Sequence, residues 1–293
     1  MCRIIHQMQR EDLELLWRIP QVQKQVLCPE KNPKWLLSDA PTHLETALVL
    51  DTHRKQEIRK TVIKWMLAAI PDILPEPNRA TPFIAVQLFD ASLVGLPSDV
   101  TFQAQKLKEI AAASVSIAMK QVEVKLVSLR SILSCVQSDN NTPAEKKITQ
   151  KGVVQAELDV LEYNRYSIAR VTPLTCIFAI VNEILLFYSR DNDTSGSDET
   201  TLHDLRDHLE RIADKASQLC LRALSDSRIL AFNQLTIAES SFAVAVESVP
   251  DAHIRSLVTD ALAAFLDESS PAFNMYRSEF AITSCSVIIR SST

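Results

Sequence analysis

Ile58-Arg59-Lys60-Thr61-Val62-Ile63-Lys64-Trp65-Met66-Leu67 is the stretch on which the fold of this chain turns. Ile58, Val62, Met66 and Ile70 recur every four residues, the spacing of one apolar face of a helix. Pro71 and Pro75 are expected to stop that helix, since proline removes a backbone donor and clashes with the turn before it. The surrounding chain has the composition of helices with short connections. It holds 3 Gly in 293 residues, at Gly95, Gly152 and Gly196, and tight turns, hairpins and phosphate loops all draw on Gly for positive φ. With 46% hydrophobic residues the chain can bury a sizeable core, and an all-α protein is the expectation.

Working outward, the same periodicity continues. A second helix is expected from Thr81-Pro82, carrying Ile84, Leu88 and Phe89. A third follows Ser98-Asp99, with Leu107, Ile110, Ala111, Ser114, Ile117 and Ala118 facing inward. Several of those residues are small, which lets neighbouring helices approach closely, as around a central helix. After the polar stretch Ser138 to Asn141, Thr142-Pro143-Ala144-Glu145 has the form of a capping box opening a helix with the stripe Val154, Leu158 and Leu161. Thr172-Pro173 opens another, to about Tyr188. The polar, acidic run from Arg190 to Thr200 is expected to be a loop. Helical stretches follow over 202–224, 229–249 and 251–267, and shorter ones are expected upstream over 11–19 and 42–50. The small-residue stripe around Ala111 and Ala118 recurs at Ala238, Ser240, Ser241, Ala243 and Ala245, the third helix of a second half. Two helical units of similar plan, joined near residue 170, account for the echo.

Several function classes find no support in the residues. Three isolated glycines cannot form a dinucleotide or P-loop fingerprint. His203 and His208 are five apart, on different sides of a helix. The 6 cysteines, Cys2, Cys28, Cys135, Cys176, Cys220 and Cys285, are scattered without metal-ligand spacing, and read as mostly buried thiols in a reducing compartment. No catalytic residue, metal or cofactor is expected. A net charge of -5 argues against an electrostatic role on nucleic acid. The most apolar run, Val171 to Tyr188, is broken by Asn182 and Glu183, which suits a buried helix and not a membrane span. No signal peptide is expected at Met1 to Gln7, so an intracellular protein is expected. Thr81-Pro82, Thr142-Pro143 and Thr172-Pro173 could be sites for proline-directed kinases, but each precedes a helical stripe and reads better as a cap followed by proline in the first turn.

Three segments taken together resemble cyclins, above all D-type and virus-encoded ones. They are 58–67, in which Trp65 follows Arg59 by six residues; Ile84 to Asp90; and Ile110 to Lys120 with Glu157 to Leu161, Tyr166 to Ile168 and Thr172-Pro173. The resemblance implies a cyclin fold of two tandem five-helix boxes, 50–170 and 171–270. An N-terminal extension with short helices over 1–49 and a tail over 271–293 complete it. It implies that Arg59 and Asp90 pair inside the first box, and that Lys120 and Glu157 bind a cyclin-dependent protein kinase. Ile58, Val62 and Trp65 would keep part of a substrate-docking groove. The function implied is a non-catalytic kinase activator in cell-cycle or transcription control, with substrates or transcription regulators as further partners and neither nucleic acid nor membrane among them. The alternative is a cyclin-box scaffold for transcription-related proteins that activates no kinase. Four positions depart from the family pattern: Glu109 and Asn164 where apolar residues are usual, and Thr61 and Ala68 in the groove. Val26-Leu27-Cys28-Pro29-Glu30 is a degenerate form of the D-type motif for retinoblastoma-family proteins.

Overall fold

The computed structural model describes residues 53–96, 104–125, 127–136, 148–168, 170–192 and 199–263. The expected helices over 11–19 and 42–50, the Val26 to Glu30 motif, the Thr142 capping box and the 271–293 tail lie outside the described residues, and so does most of the 190–200 loop. Nine α-helices and one 3-10 helix make up the described chain. They are α1 (His53–Ile73), α2 (Thr81–Gly95), α3 (Ala104–Val122), α4 (Leu129–Val136), α5 (Gln150–Tyr163), α6 (Pro173–Asn192), α7 (Glu199–Ala223), the 3-10 helix Ser227–Ala231, α8 (Gln234–Glu247) and α9 (Ala252–Ala263).

The helices sort into two bundles, each built around its third member. In the first, α3 packs against α1, α2, α4 and α5, and Ile110 to Met119 is buried without interruption. In the second, α8 packs against α6, α7 and α9, and Thr236 to Val246 is buried except for Glu239. Only a helix covered on all sides has this pattern, and its alanines and serines are what admit four or three neighbours at close range. The two central helices carry the two small-residue stripes read from the sequence. The bundles belong to one compact unit. They are joined by the Gln87 side-chain amide donating to the Val171 carbonyl at 3.0 Å, by an ion pair between Arg79 and Asp214, and by α1 lying against the 3-10 helix.

Several boundaries differ from the sequence reading. Helix α1 runs through Pro71 to Ile73, with Leu74 N–H still donating to the Ile70 carbonyl at 3.0 Å. Pro71 takes one i→i−4 donor from the helix without ending it, and the residue before Pro75 is where the α conformation becomes costly. The inward face of α1 is rotated by one residue from the apolar stripe: Arg59, Ile63, Met66 and Ile70 are buried, while Ile58 and Val62 are half-buried. Helix α5 is opened by Thr149, whose hydroxyl accepts from Gly152 N–H at 3.0 Å, and not by the Thr142 box. Its buried stripe is Val153, Ala156 and Val160, so Val154 and Leu158 face outward. Thr81 does not cap α2. Its hydroxyl donates to Glu123 Oε1 at 2.5 Å, and the same oxygen accepts from Asn78 N–H at 2.8 Å. Thr172 does act as a cap, accepting from Thr175 N–H at 3.2 Å. Both threonines are buried, which removes them as kinase substrates in the folded chain. The 229–249 stretch divides at Asn233, which caps α8 by accepting from Thr236 N–H at 2.7 Å. Helix α4 was not expected; its signal was the spacing of Leu129, Ile132, Leu133 and Val136.

If the small stripe is what lets α3 sit at the centre, Ala111→Leu should overpack it and lower stability by about 1–3 kcal/mol. Urea denaturation would show the midpoint falling with an unchanged slope; an unchanged midpoint would mean that α3 has room to spare.

Candidate functional site

Arg59 and Asp90 meet between α1 and α2. The guanidinium donates from Nε to Oδ1 and from Nη2 to Oδ2, both at 2.7 Å. The side chains are 1% and 5% exposed. This two-bond fork is the strong geometry for arginine and carboxylate, and it is needed here because burying either charge alone is costly. A second polar group lies beside it. Asn164, fully buried at the end of α5, donates to the Val160 carbonyl at 2.7 Å, Ser92 Oγ at 3.1 Å and the Leu88 carbonyl at 3.3 Å. Its Oδ1 accepts from Arg170 Nη2. Asn164 thus stands at a family-apolar position because it ties the end of α5 to the backbone of α2. Burial pushes the Arg170 guanidinium down to about 10, with the Asp90 charge acting in the opposite sense.

The face made by α3 and α5 carries the other predicted pair. Lys120, in the last turn of α3, donates to Glu157 Oε1 on α5 at 2.6 Å. The lysine is 55% exposed and the glutamate 15%. From the first turn of α3, Lys106 donates to Asp159 Oδ2 at 2.5 Å. Glu157 and Asp159 are two residues apart and leave α5 on opposite sides, so α5 is held astride α3 by one lysine from each end. Burial alone would raise the Asp159 carboxyl, but the hydrogen bonds from Lys106 and Gln155 and the Lys106 charge outweigh it and hold the group below the ordinary carboxylate range. Glu109 lies on the same contact, its Oε1 only 2.5 Å from where a Cβ at Gly152 would stand. An acid on α3 is therefore accommodated by a glycine on α5. Beside Glu157, Val154 and Leu158 are 44% and 54% exposed. Just beyond the helix, Tyr166 is also exposed, on a left-handed backbone at φ 58° after Arg165 at φ 49°.

The predicted groove residues Ile58, Val62 and Trp65 are all half-buried on α1. Spacings of four and three place them on one side of the helix. Thr61 is exposed, with its hydroxyl donating to the Glu57 carbonyl at 2.8 Å, and Ala68 is exposed with no acid to offer. Among the described residues, no group of three or more His, Cys, Asp or Glu could hold a metal ion, and no helix is long and apolar enough to cross a membrane. Cys176 and Cys220 are buried thiols, the second pushed up to about 12 by burial, which makes both poor nucleophiles.

The sequence matches no family model and no curated protein. Among solved structures it is similar to the X-ray structure of a viral cyclin from herpesvirus saimiri. The identity is 16%, the match covers 75% of this chain and 88% of that one, and the TM-score is 0.50. The helix order, the two bundles and this likeness together define the fold as the all-α cyclin fold.

Two outcomes follow from the site geometry. Asp90→Ala should cost about 3–5 kcal/mol in urea denaturation, since it strands a buried guanidinium, whereas an Arg59→Met/Asp90→Leu double variant should recover most of the loss. Asp159 has a depressed native pKa, so its contribution is complete above its unfolded value near about 4 and is lost as pH falls through the lower native value. Asp159→Asn should therefore be less stable than the parent at neutral pH, and the gap should close below about pH 4. A gap independent of pH would contradict the Lys106 pairing.

Proposed function

We propose that this chain is a cyclin-type regulatory subunit that docks on a cyclin-dependent protein kinase through the α3–α5 face and activates it. The observation that carries this reading is the Lys120–Glu157 pair, 2.6 Å apart, with exposed Val154 and Leu158 beside it. A partner needs both features of such a patch. The apolar residues supply area to bury, and the charged pair supplies direction. Lys120 keeps two of its three N–H donors beyond the Glu157 bond, and Glu157 keeps acceptor capacity, so each can also bond kinase backbone.

Activation on this reading is allosteric, and the chain itself has no catalytic step. Docking presses the mobile C helix of the kinase inward, completes the Glu–Lys ion pair of its active site and orders the activation segment. The first bundle, within 50–170, is the kinase-binding unit, and the second, within 171–270, supports it. The partial groove of Ile58, Val62 and Trp65 would hold a substrate only weakly, because Thr61 is polar and Ala68 provides no acid for a substrate arginine. The setting of this activity would be nuclear and cytoplasmic, in cell-cycle or transcription control.

The double charge swap Lys120→Glu/Glu157→Lys separates docking from folding. It keeps an ion pair between α3 and α5 while reversing both charges offered to a partner, and an exposed pair of this kind contributes only about 0–1 kcal/mol. The parent chain should capture and activate a member of a panel of purified cyclin-dependent kinases. The swapped chain should melt at nearly the same temperature and capture none. Capture of the same kinase by both would rule out the face, and capture of no kinase by either folded chain would favour the scaffold reading.

A further inference from the structure

Lys106 and Lys120 lie on the same side of α3, roughly four turns and about 21 Å apart along the helix. Their partners on α5, Asp159 and Glu157, are separated by a rise of only about 3 Å. Anchors so far apart on one helix can reach carboxylates so close together on the other only if the two helices cross. Asp159 then reaches toward the start of α3 and Glu157 toward its end. The buried stripe of α5, Val153, Ala156 and Val160, is turned into the contact between them.

Such a crossing has a soft motion, the roll of α5 about its own axis. The apolar stripe resists it weakly, because apolar contact has no preferred direction. The ion pairs resist it strongly, because they pull on opposite flanks of α5. Of the two, the Lys106 side is the better fixed. Both oxygens of Asp159 are engaged, Oδ2 by Lys106 Nζ at 2.5 Å and Oδ1 by Gln155 Nε2 at 3.0 Å. Lys106 is also less exposed than Lys120, and charges attract more strongly where water is kept away. Without Lys106, Glu157 would pull unopposed, and a roll of α5 would carry Glu157, Val154 and Leu158 out of their present places.

We propose that the Lys106–Asp159 pair positions the docking face: it fixes the roll of α5, keeping Glu157 on Lys120 and Val154 and Leu158 outward, without itself touching the partner. Lys106 and Asp159 are on this account positioning residues. The inference rests on the reading of the α3–α5 face as the kinase-docking face, but the effect on the Lys120–Glu157 contact is measurable with no kinase present.

The test makes two measurements on the full chain. A water-soluble carbodiimide joins an amine to a carboxylate where the two are in contact, so the yield of the Lys120–Glu157 isopeptide, read by mass spectrometry, reports whether that pair is made. Lys106→Met should lose most of this yield, and Lys106→Arg, which still pairs with Asp159, should keep it. For a cyclin-dependent kinase that the parent captures, Lys106→Met should raise the Kd at least ~10-fold, and Lys106→Arg should restore it. A pair that only added stability would lower the melting temperature and leave both readings of the folded protein unchanged. An undiminished crosslink in folded Lys106→Met would therefore overturn the proposal, as would undiminished capture. Should Lys106→Met unfold, the swap Lys106→Asp/Asp159→Lys decides: a parental crosslink yield supports the proposal and a lost one overturns it. If the parent captures no kinase, the docking reading fails by itself, and the crosslink yield still decides whether Lys106 positions α5.

Discussion

The buried pair of Arg59 and Asp90 is the constraint to which much of the first bundle answers. A charged side chain at 1% exposure is tolerable only where a partner meets it in good geometry, so α1 and α2 have one relative placement. By taking the inward position on α1, Arg59 turns the helix so that Ile63, Met66 and Ile70 fill the core. Ile58, Val62 and Trp65 are then left half-buried on the flank. The family resemblance assigns those three to a groove, and the structure supplies the physical reason that apolar residues stay outside at all. Helix α2, held from one side by Arg59, is held from another by Asn164, which bonds to the Leu88 carbonyl and Ser92. The start of the second bundle hangs from the same helix through Gln87 and Val171.

The α3–α5 contact follows a different rule. Here the charges sit at the rim of the contact: Lys120 is 55% exposed, while Glu157, Lys106 and Asp159 are 15%, 23% and 19% exposed. Their effect is geometric: lysines from the two ends of α3 draw carboxylates on opposite sides of α5, and the acid Glu109 rests where Gly152 has no side chain. With Val153, Ala156 and Val160 turned in, Val154 and Leu158 are turned out. An apolar patch beside an exposed charged pair is the arrangement expected of a face that is covered in use.

Much of this was legible in the sequence. Poverty in glycine and four-residue apolar spacing point to helices, and the two small-residue stripes mark the two central helices. The spacing of Arg59, Trp65 and Asp90 located the buried pair through the family resemblance. What was not legible has physical causes. Periodicity alone cannot say that an arginine and not an isoleucine takes the inward place, because that depends on Asp90 thirty-one residues away. The stripe Val154, Leu158 and Leu161 and the stripe Val153, Ala156 and Val160 fit one helix equally well, and packing against α3 chooses between them. Thr149 and Thr142 both offer a hydroxyl as a cap. Asn164 shows as a departure from a pattern until Ser92, Leu88 and Arg170 are seen around it.

The most direct test of the proposed docking face is a photo-crosslink from its centre. With p-benzoylphenylalanine in place of Leu158, irradiation in the presence of a cyclin-dependent kinase should join the chain to the kinase at its mobile C helix, while the same residue in place of Leu186 on the second bundle should give no such product. Crosslinking from position 186 and none from 158, with the kinase bound in both cases, would contradict the assignment of α3 and α5 as the docking face.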